Sequence, residues 1–275
     1  MMKKILLLLL LTPTLTFGQL KAFLTKKEPN LQAWTKGTNN TSIIEQLKSE
    51  GLLDNYQVYD DSTPNFHLID FDADGLTDVM FYGYAGGESK DIIFFRNEGN
   101  SYSKVLSVMG ELVFVSNFKA YEPLSFAVNH YGCCASINDV FEYYTPTNIG
   151  GKFKFQLTNK IAHIQGMEFP NSEFIAPVTF KTVNPEYTLR LKPFIDNSEP
   201  HHADYDMPGN TIAIYPPESI GTAIATRTDE TGRVWYFAIM RNNIKPIKEI
   251  LFKGYNNDDP YYSIGWISSR FVKKM

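Results

Sequence analysis

The densest chemistry in this chain lies in Asp70-Phe71-Asp72-Ala73-Asp74-Gly75-Leu76-Thr77-Asp78, with carboxylates at positions 1, 3, 5 and 9 and a glycine at 6. At roughly 5 Å and an effective dielectric of about 20, each carboxylate pair repels by about 3 kcal/mol. A fold that gathers these groups needs something cationic to receive them. Oxygen donors at alternate positions, a backbone carbonyl at position 7 and a glycine for the sharp turn suit a hard cation such as Ca²⁺. The competing reading is an Asp-rich turn without metal. If calcium binds, its role here is structural, at the affinity of about 10⁻⁴–10⁻³ M common in extracellular modules.

Two other clusters could do chemistry. Cys133 and Cys134 are the only cysteines and are adjacent, which excludes a disulfide framework. They could close a strained vicinal disulfide, pair with another chain or remain buried thiols. With His130 nearby they could also form a thiol site, although nothing marks a helix N-terminus that would depress a thiol pKa. His201-His202-x-Asp204-x-Asp206 offers two imidazoles and two carboxylates to a transition metal. Neighbouring side chains point apart in an extended chain, so a solvated polar loop is the simpler reading. Gly-x-Ser-x-Gly, His-Glu-x-x-His and a Walker loop are all absent. The chain therefore reads as non-catalytic, with an enzyme site near Cys133, Cys134 and His130 as the alternative.

The elements that would position these groups begin after an export signal. Met1-Met2-Lys3-Lys4, an apolar run from Ile5 to Leu11 and small residues at Thr16 and Gly18 read as a secretory leader over 1–18. No cysteine follows to make a lipobox, and no later stretch is long enough to span a membrane. The expectation is an exported protein, periplasmic or extracellular and not a lipoprotein. The formal charge is −4 over 275 residues, and it becomes more negative once Lys3 and Lys4 leave. That argues against nucleic acid or an anionic membrane as partner.

Twenty Phe and 16 Tyr with scattered Gly, Pro and Asn predict many short strands. Ser42 and Glu45 form a capping box, and Ile43, Ile44 and Leu47 share a face, predicting one short helix over 42–50 within an N-terminal segment 19–55. From Tyr56 the period changes to two, through Phe66, Leu68, Val79, Phe81, Ile92 and Phe94. Further strands follow at 104–109, 112–118, 124–128, 137–144, 153–157 and 160–164. Turn signals every eight to twelve residues predict an antiparallel β domain over about 56–170, with the helix available to cover its edges. A Pro-containing linker at 171–183, with one short strand, leads to a second unit at 184–275.

Both units carry resemblances. Leu68 through Val79, with the apolar strand that follows and Phe95-Arg96-Asn97-Glu98-Gly99, resembles one FG-GAP/VCBS-type repeat, a propeller-blade unit whose acidic loop binds calcium. By motif position the resemblance implies Asp70, Asp72, Asp74 and Asp78 as side-chain ligands and Leu76 as carbonyl ligand. No second such loop occurs, so a single β-sandwich or compact sheet is expected rather than a propeller. Leu189-Arg190-Leu191-Lys192-Pro193, the Gly221-led strand, Gly232-Arg233-Val234-Trp235 and the closing Gly265-Trp266-Ile267-Ser268-Ser269-Arg270-Phe271-Val272 resemble a bacterial SH3 (SH3b) domain. That resemblance implies a small SH3-like β-barrel, and a cell-wall peptide or envelope protein as partner.

Within this unit, Trp235 and Phe237 share a strand face and are expected in the core. Tyr236, Tyr255, Tyr261, Tyr262 and Trp266 are the candidate ligand-binding aromatics. The long loops at 196–209 and 242–262 could instead dock a protein target, as a secreted inhibitor or immunity-type protein would.

Overall fold

The computed structural model describes residues 24, 29, 31, 41–56, 65–87, 89–116, 122–131, 137–198, 207–241, 243–250 and 262–275. The leader 1–18, Cys133 and Cys134, the His201–Asp206 cluster, Tyr255 and Tyr261 lie outside the described residues. The protein is mainly β, with one short helix, α1 (Thr41–Ser49), among the elements described. Leu47 and Ile44 point inward from α1. The helix stops at Gly51, whose φ of 71° allows a Schellman turn: Leu52 N–H donates to Leu47 O at 3.0 Å and Gly51 N–H to Lys48 O at 3.0 Å.

Four strands then form an antiparallel meander: β1 (Phe66–Ile69), β2 (Asp78–Gly83), β3 (Asp91–Asn97) and β4 (Tyr102–Met109). Strand alternation divides their apolar residues between two layers. Phe66, Leu68, Val79, Phe81, Ile93 and Phe95 pack on Ile44, Leu47 and Leu53. Met80, Tyr82, Ile92 and Phe94 pack on the opposite side against Phe126, Val128, Tyr144 and Phe155. The helix thus covers a face of this sheet rather than a sheet edge. The second face makes a β-sandwich with the next sheet.

That next sheet begins with β5 (Glu111–Val115), β6 (Phe126–His130), β7 (Asn138–Ile149) and β8 (Lys152–Ile164), joined antiparallel in sequence order. Gly150 and Gly151, at φ 61° and 79°, make the two-residue hairpin turn that this pair of strands requires. The strands expected at 153–157 and 160–164 are one strand, β8. A register shift at Tyr143/Tyr144 keeps it paired along its length.

The same sheet continues into the C-terminal third, which comprises β9 (Phe174–Thr182), β10 (Tyr187–Arg190), β11 (Thr211–Tyr215), β12 (Ile220–Thr228), β13 (Val234–Met240), β14 (Lys248–Glu249), β15 (Tyr262–Ser268), a 3-10 turn at Ser269–Phe271 and β16 (Val272–Lys274). The order across it is β16-β9-β12-β13-β15-β8-β7-β6-β5. The only parallel ladder among the described residues is β15 with β8, pairing Tyr262 with Ile161 and Ser263 with Ala162. The short strand inside 171–183, β9, pairs with β12 and β16. No closed barrel forms among the described residues. The side of β15 away from β13 is shared between β8 and a single pair with β10, Arg190 opposite Trp266.

Candidate functional site

The acidic loop bridges β1 and β2. Its turn is made by Ala73 and Gly75, at φ 62° and 90°. The left-handed conformation costs an alanine roughly 1–2 kcal/mol and glycine little. Oxygens of Asp70, Asp72 and Asp78 all lie within 4.8 Å of one another, so this group could hold a metal ion. One ion at calcium's 2.3–2.6 Å from each oxygen would span such separations, and an all-oxygen donor set suits it. The carboxylates are oriented by backbone amides. Asp74 N–H donates to Asp70 Oδ1 at 3.1 Å and Gly75 N–H to Asp70 Oδ2 at 3.0 Å. Asp78 is fully buried, and its oxygens accept from Phe71 N–H at 3.0 Å and Asn97 N–H at 2.7 Å. Each carboxylate oxygen retains a lone pair for a metal.

Asp74 is engaged differently. Its Oδ1 accepts from Leu76 N–H at 2.9 Å and its Oδ2 from Arg96 Nη2 at 2.8 Å. Arg96 also reaches Asp72 Oδ2 through Nε at 2.5 Å and Glu98 Oε2 through Nη1 at 2.6 Å. Sequence reasoning assigned Arg96 no role. Its signal is a lone cation closing the apolar run Ile92-Ile93-Phe94-Phe95, one hairpin away from the acids. Burial pushes the Asp78 carboxyl up to about 7, aided by the charges of Asp72 and Asp74 and opposed by the Asn97 and Phe71 amides. Burial also raises Asp72, against the pull of Arg96. The bond to Asp72 is the main cause holding Arg96 above its ordinary value. Of the five carboxylates, counting Glu98, Arg96 meets three, Asp72, Asp74 and Glu98, so the loop still has charge for a divalent cation to neutralise.

The candidate aromatics divide by burial. Trp266 is fully buried, donating from Nε1 to Glu168 O at 2.6 Å and packing on Phe237 at 5.2 Å between centroids. Trp235 is buried, and its Nε1 donates to Asp229 Oδ2 at 2.9 Å. Tyr236 is buried beside Phe180. Trp266 and Tyr236 are therefore core residues rather than a binding face, because the central strands β13 and β15 are covered on both sides. Tyr262 is exposed at the start of β15. Arg227 stacks over Trp266 at 4.9 Å and pairs with Glu168 and Glu173, strapping the chain ahead of β9 onto the sheet. His130 closes β6, half-buried.

A cleft of about 180 Å³ opens elsewhere, between Tyr187 and Arg190 of β10, Arg233 and Trp235 at the start of β13, and Phe271 of the 3-10 turn. The Tyr187 hydroxyl fixes its floor: it donates to Ser268 O and accepts from Phe271 N–H at 3.4 Å. No helix among the described residues is long and apolar enough to cross a membrane. No family model matches this chain, and neither does a curated protein or a solved structure.

Proposed function

We propose that this chain is an exported, non-catalytic binding protein of the cell envelope. In this reading a calcium ion at Asp70, Asp72 and Asp78 clamps the first sheet, and the last ninety or so residues act as an SH3b-like recognition module for a cell-wall peptide or an envelope protein. One observation carries the reading. The C-terminal order is a first hairpin, a three-stranded meander, a 3-10 turn and a short strand returning to β9. That order resembles an SH3-like module, and an open cleft lies against the 3-10 turn. The metal loop sits in the other sheet and serves as a clamp.

The test is co-sedimentation of the whole mature chain with purified peptidoglycan. Retention well above that on an insoluble polysaccharide control is expected. Retention equal to the control overturns the cell-wall version and leaves an envelope protein as the partner to seek.

A further inference from the structure

Two guanidinium groups line the cleft beside the 3-10 turn, and neither is hydrogen-bonded to a carboxylate among the described residues. Arg190 is only 7% exposed. Its Nη1 donates to Asp196 O at 2.9 Å, Asn210 Oδ1 at 2.8 Å and Thr211 Oγ1 at 3.4 Å, and its Nη2 to Asn197 Oδ1 at 3.0 Å. All four acceptors are neutral. The Asp196 carboxylate acts on Arg190 only through space, its Oδ1 being taken by the Ser198 amide and hydroxyl. Nε–H and one hydrogen of Nη2, on adjacent nitrogens of the fork, bond to no described residue. Arg233 lies with its guanidinium carbon 5.7 Å from the centre of the Trp235 ring, against an aromatic surface rather than an acid. Its charge reaches Arg190, and together with Arg270 it reaches Tyr187. Among the described residues, Glu186 is the one acidic residue lining the cleft, and it is exposed.

Burying a cation without a bonded counter-charge is costly unless something anionic arrives to share the site. A planar guanidinium that keeps N–H donors to spare is suited to receive a carboxylate. The walls suggest what the carboxylate is attached to. Ile195 and Phe271, 50% and 49% exposed, give the cleft apolar lining beside its polar residues. The space is below the roughly 300–1,000 Å³ of ordinary ligand pockets. It has room for the end of a molecule whose remainder stays outside.

We propose that this cleft is a carboxylate subsite, in which Arg190 and Arg233 receive the C-terminal carboxylate of a peptide while Ile195 and Phe271 hold its last side chains. The proposal rests on the binding-module reading above and names the chemistry of its ligand. It also shifts the recognition surface from the aromatics Tyr236 and Trp266, which the core consumes, to the arginines.

Titration of the full mature chain with acetyl-Ala-Ala, against the same peptide as its C-terminal amide, tests this by amide chemical-shift changes. The free acid should bind at least about tenfold more tightly than the amide, the size of effect expected for a charge-assisted hydrogen-bonded pair. Arg233→Gln, at a half-buried position, should remove most of that preference. Arg190→Lys should weaken it while keeping the charge, because the fork is lost. Arg190 also ties down Asp196 and Asn210, so Arg233→Gln is the deciding variant if Arg190→Lys fails to fold.

Equal binding of acid and amide overturns the subsite. So does displacement of the acid by inorganic phosphate at equal concentration, which would mark a general anion site. A chain that sediments with peptidoglycan yet ignores the carboxylate would sink this inference and leave the proposed function standing. Preference for the acid without peptidoglycan retention would do the reverse to the cell-wall version.

Discussion

In the acidic loop, Arg96 meets Asp72, Asp74 and Glu98, so part of the negative charge is balanced within the chain itself. A metal ion held by Asp70, Asp72 and Asp78 would share that job with Arg96. With a Kd near 10⁻⁴ M, 10 mM calcium should stabilise the fold by about 3 kcal/mol, and chelator should remove that gain. Asp72→Asn should abolish the calcium dependence of the melting temperature. A wild-type melting curve indifferent to calcium and chelator would mean that the loop is held by Arg96 alone. Arg96→Gln should lower the melting temperature more in chelator than in calcium, since only the metal then offsets the carboxylates. His67 has a separate consequence. It is 8% exposed in β1, its Nδ1 has no hydrogen-bond partner among the described residues, and burial lowers its pKa from 6.5 to about 4. The unfolded chain takes up a proton below about pH 6.5, whereas the fold does so only near 4. Stability should therefore be level above about 6.5 and fall by about 3 kcal/mol as pH drops through that window. His67→Leu should flatten this part of the stability profile in urea titrations. A slope unchanged by the substitution would assign it to other groups.

The helix and the strands were readable because burial imposes a period on sequence. Ile44 and Leu47 mark the inner face of α1, and the alternation through Val79, Phe81, Ile93 and Phe95 marks the sheet face it covers. Leu47 is completely buried there. Leu47→Ala should cost about 2–5 kcal/mol, measurable as a lower urea midpoint with little change in slope. A loss below about 1 kcal/mol would mean that α1 merely lies on the sheet. Where elements merge, local pattern fails. Thr158 and Asn159 read as a break between strands, yet Asn159 pairs with Tyr143 and Leu157 with Tyr144 across a bulge, so β8 runs on to Ile164. Polar residues on a partly exposed strand carry the same signature as those in a turn.

The joint between the two halves is a short parallel ladder, β15 on β8, flanked by a shared core in which Phe141, Ile161 and Ile164 pack with Leu189, Phe237 and Trp266. Modules that act as beads on a string would unfold separately. A joint of hydrogen bonds and continuous apolar packing couples them, so calorimetry should give one transition, with calorimetric and van't Hoff enthalpies equal. Two resolved transitions would show that residues 184–275 behave as an independent module. The cleft lies away from the joint strand β8, among residues drawn from β10, β13 and the 3-10 turn. Its arginines are 43 positions apart along the chain, from Arg190 to Arg233.

By itself, the sequence determined the features that local pattern encodes: the all-β character, the short helix α1, and an acidic loop whose oxygen spacing and glycine could suit a metal ion. These are set within a few neighbouring residues, where spacing alone decides which side chains share a face. Tertiary structure decided which cation contacts Asp74, whether Trp266 and Tyr236 face a ligand or the core, and which arginines meet in the cleft. Each of those depends on strands paired across long stretches of chain. Burial on both faces of β13 erases the alternation that would have told inside from outside.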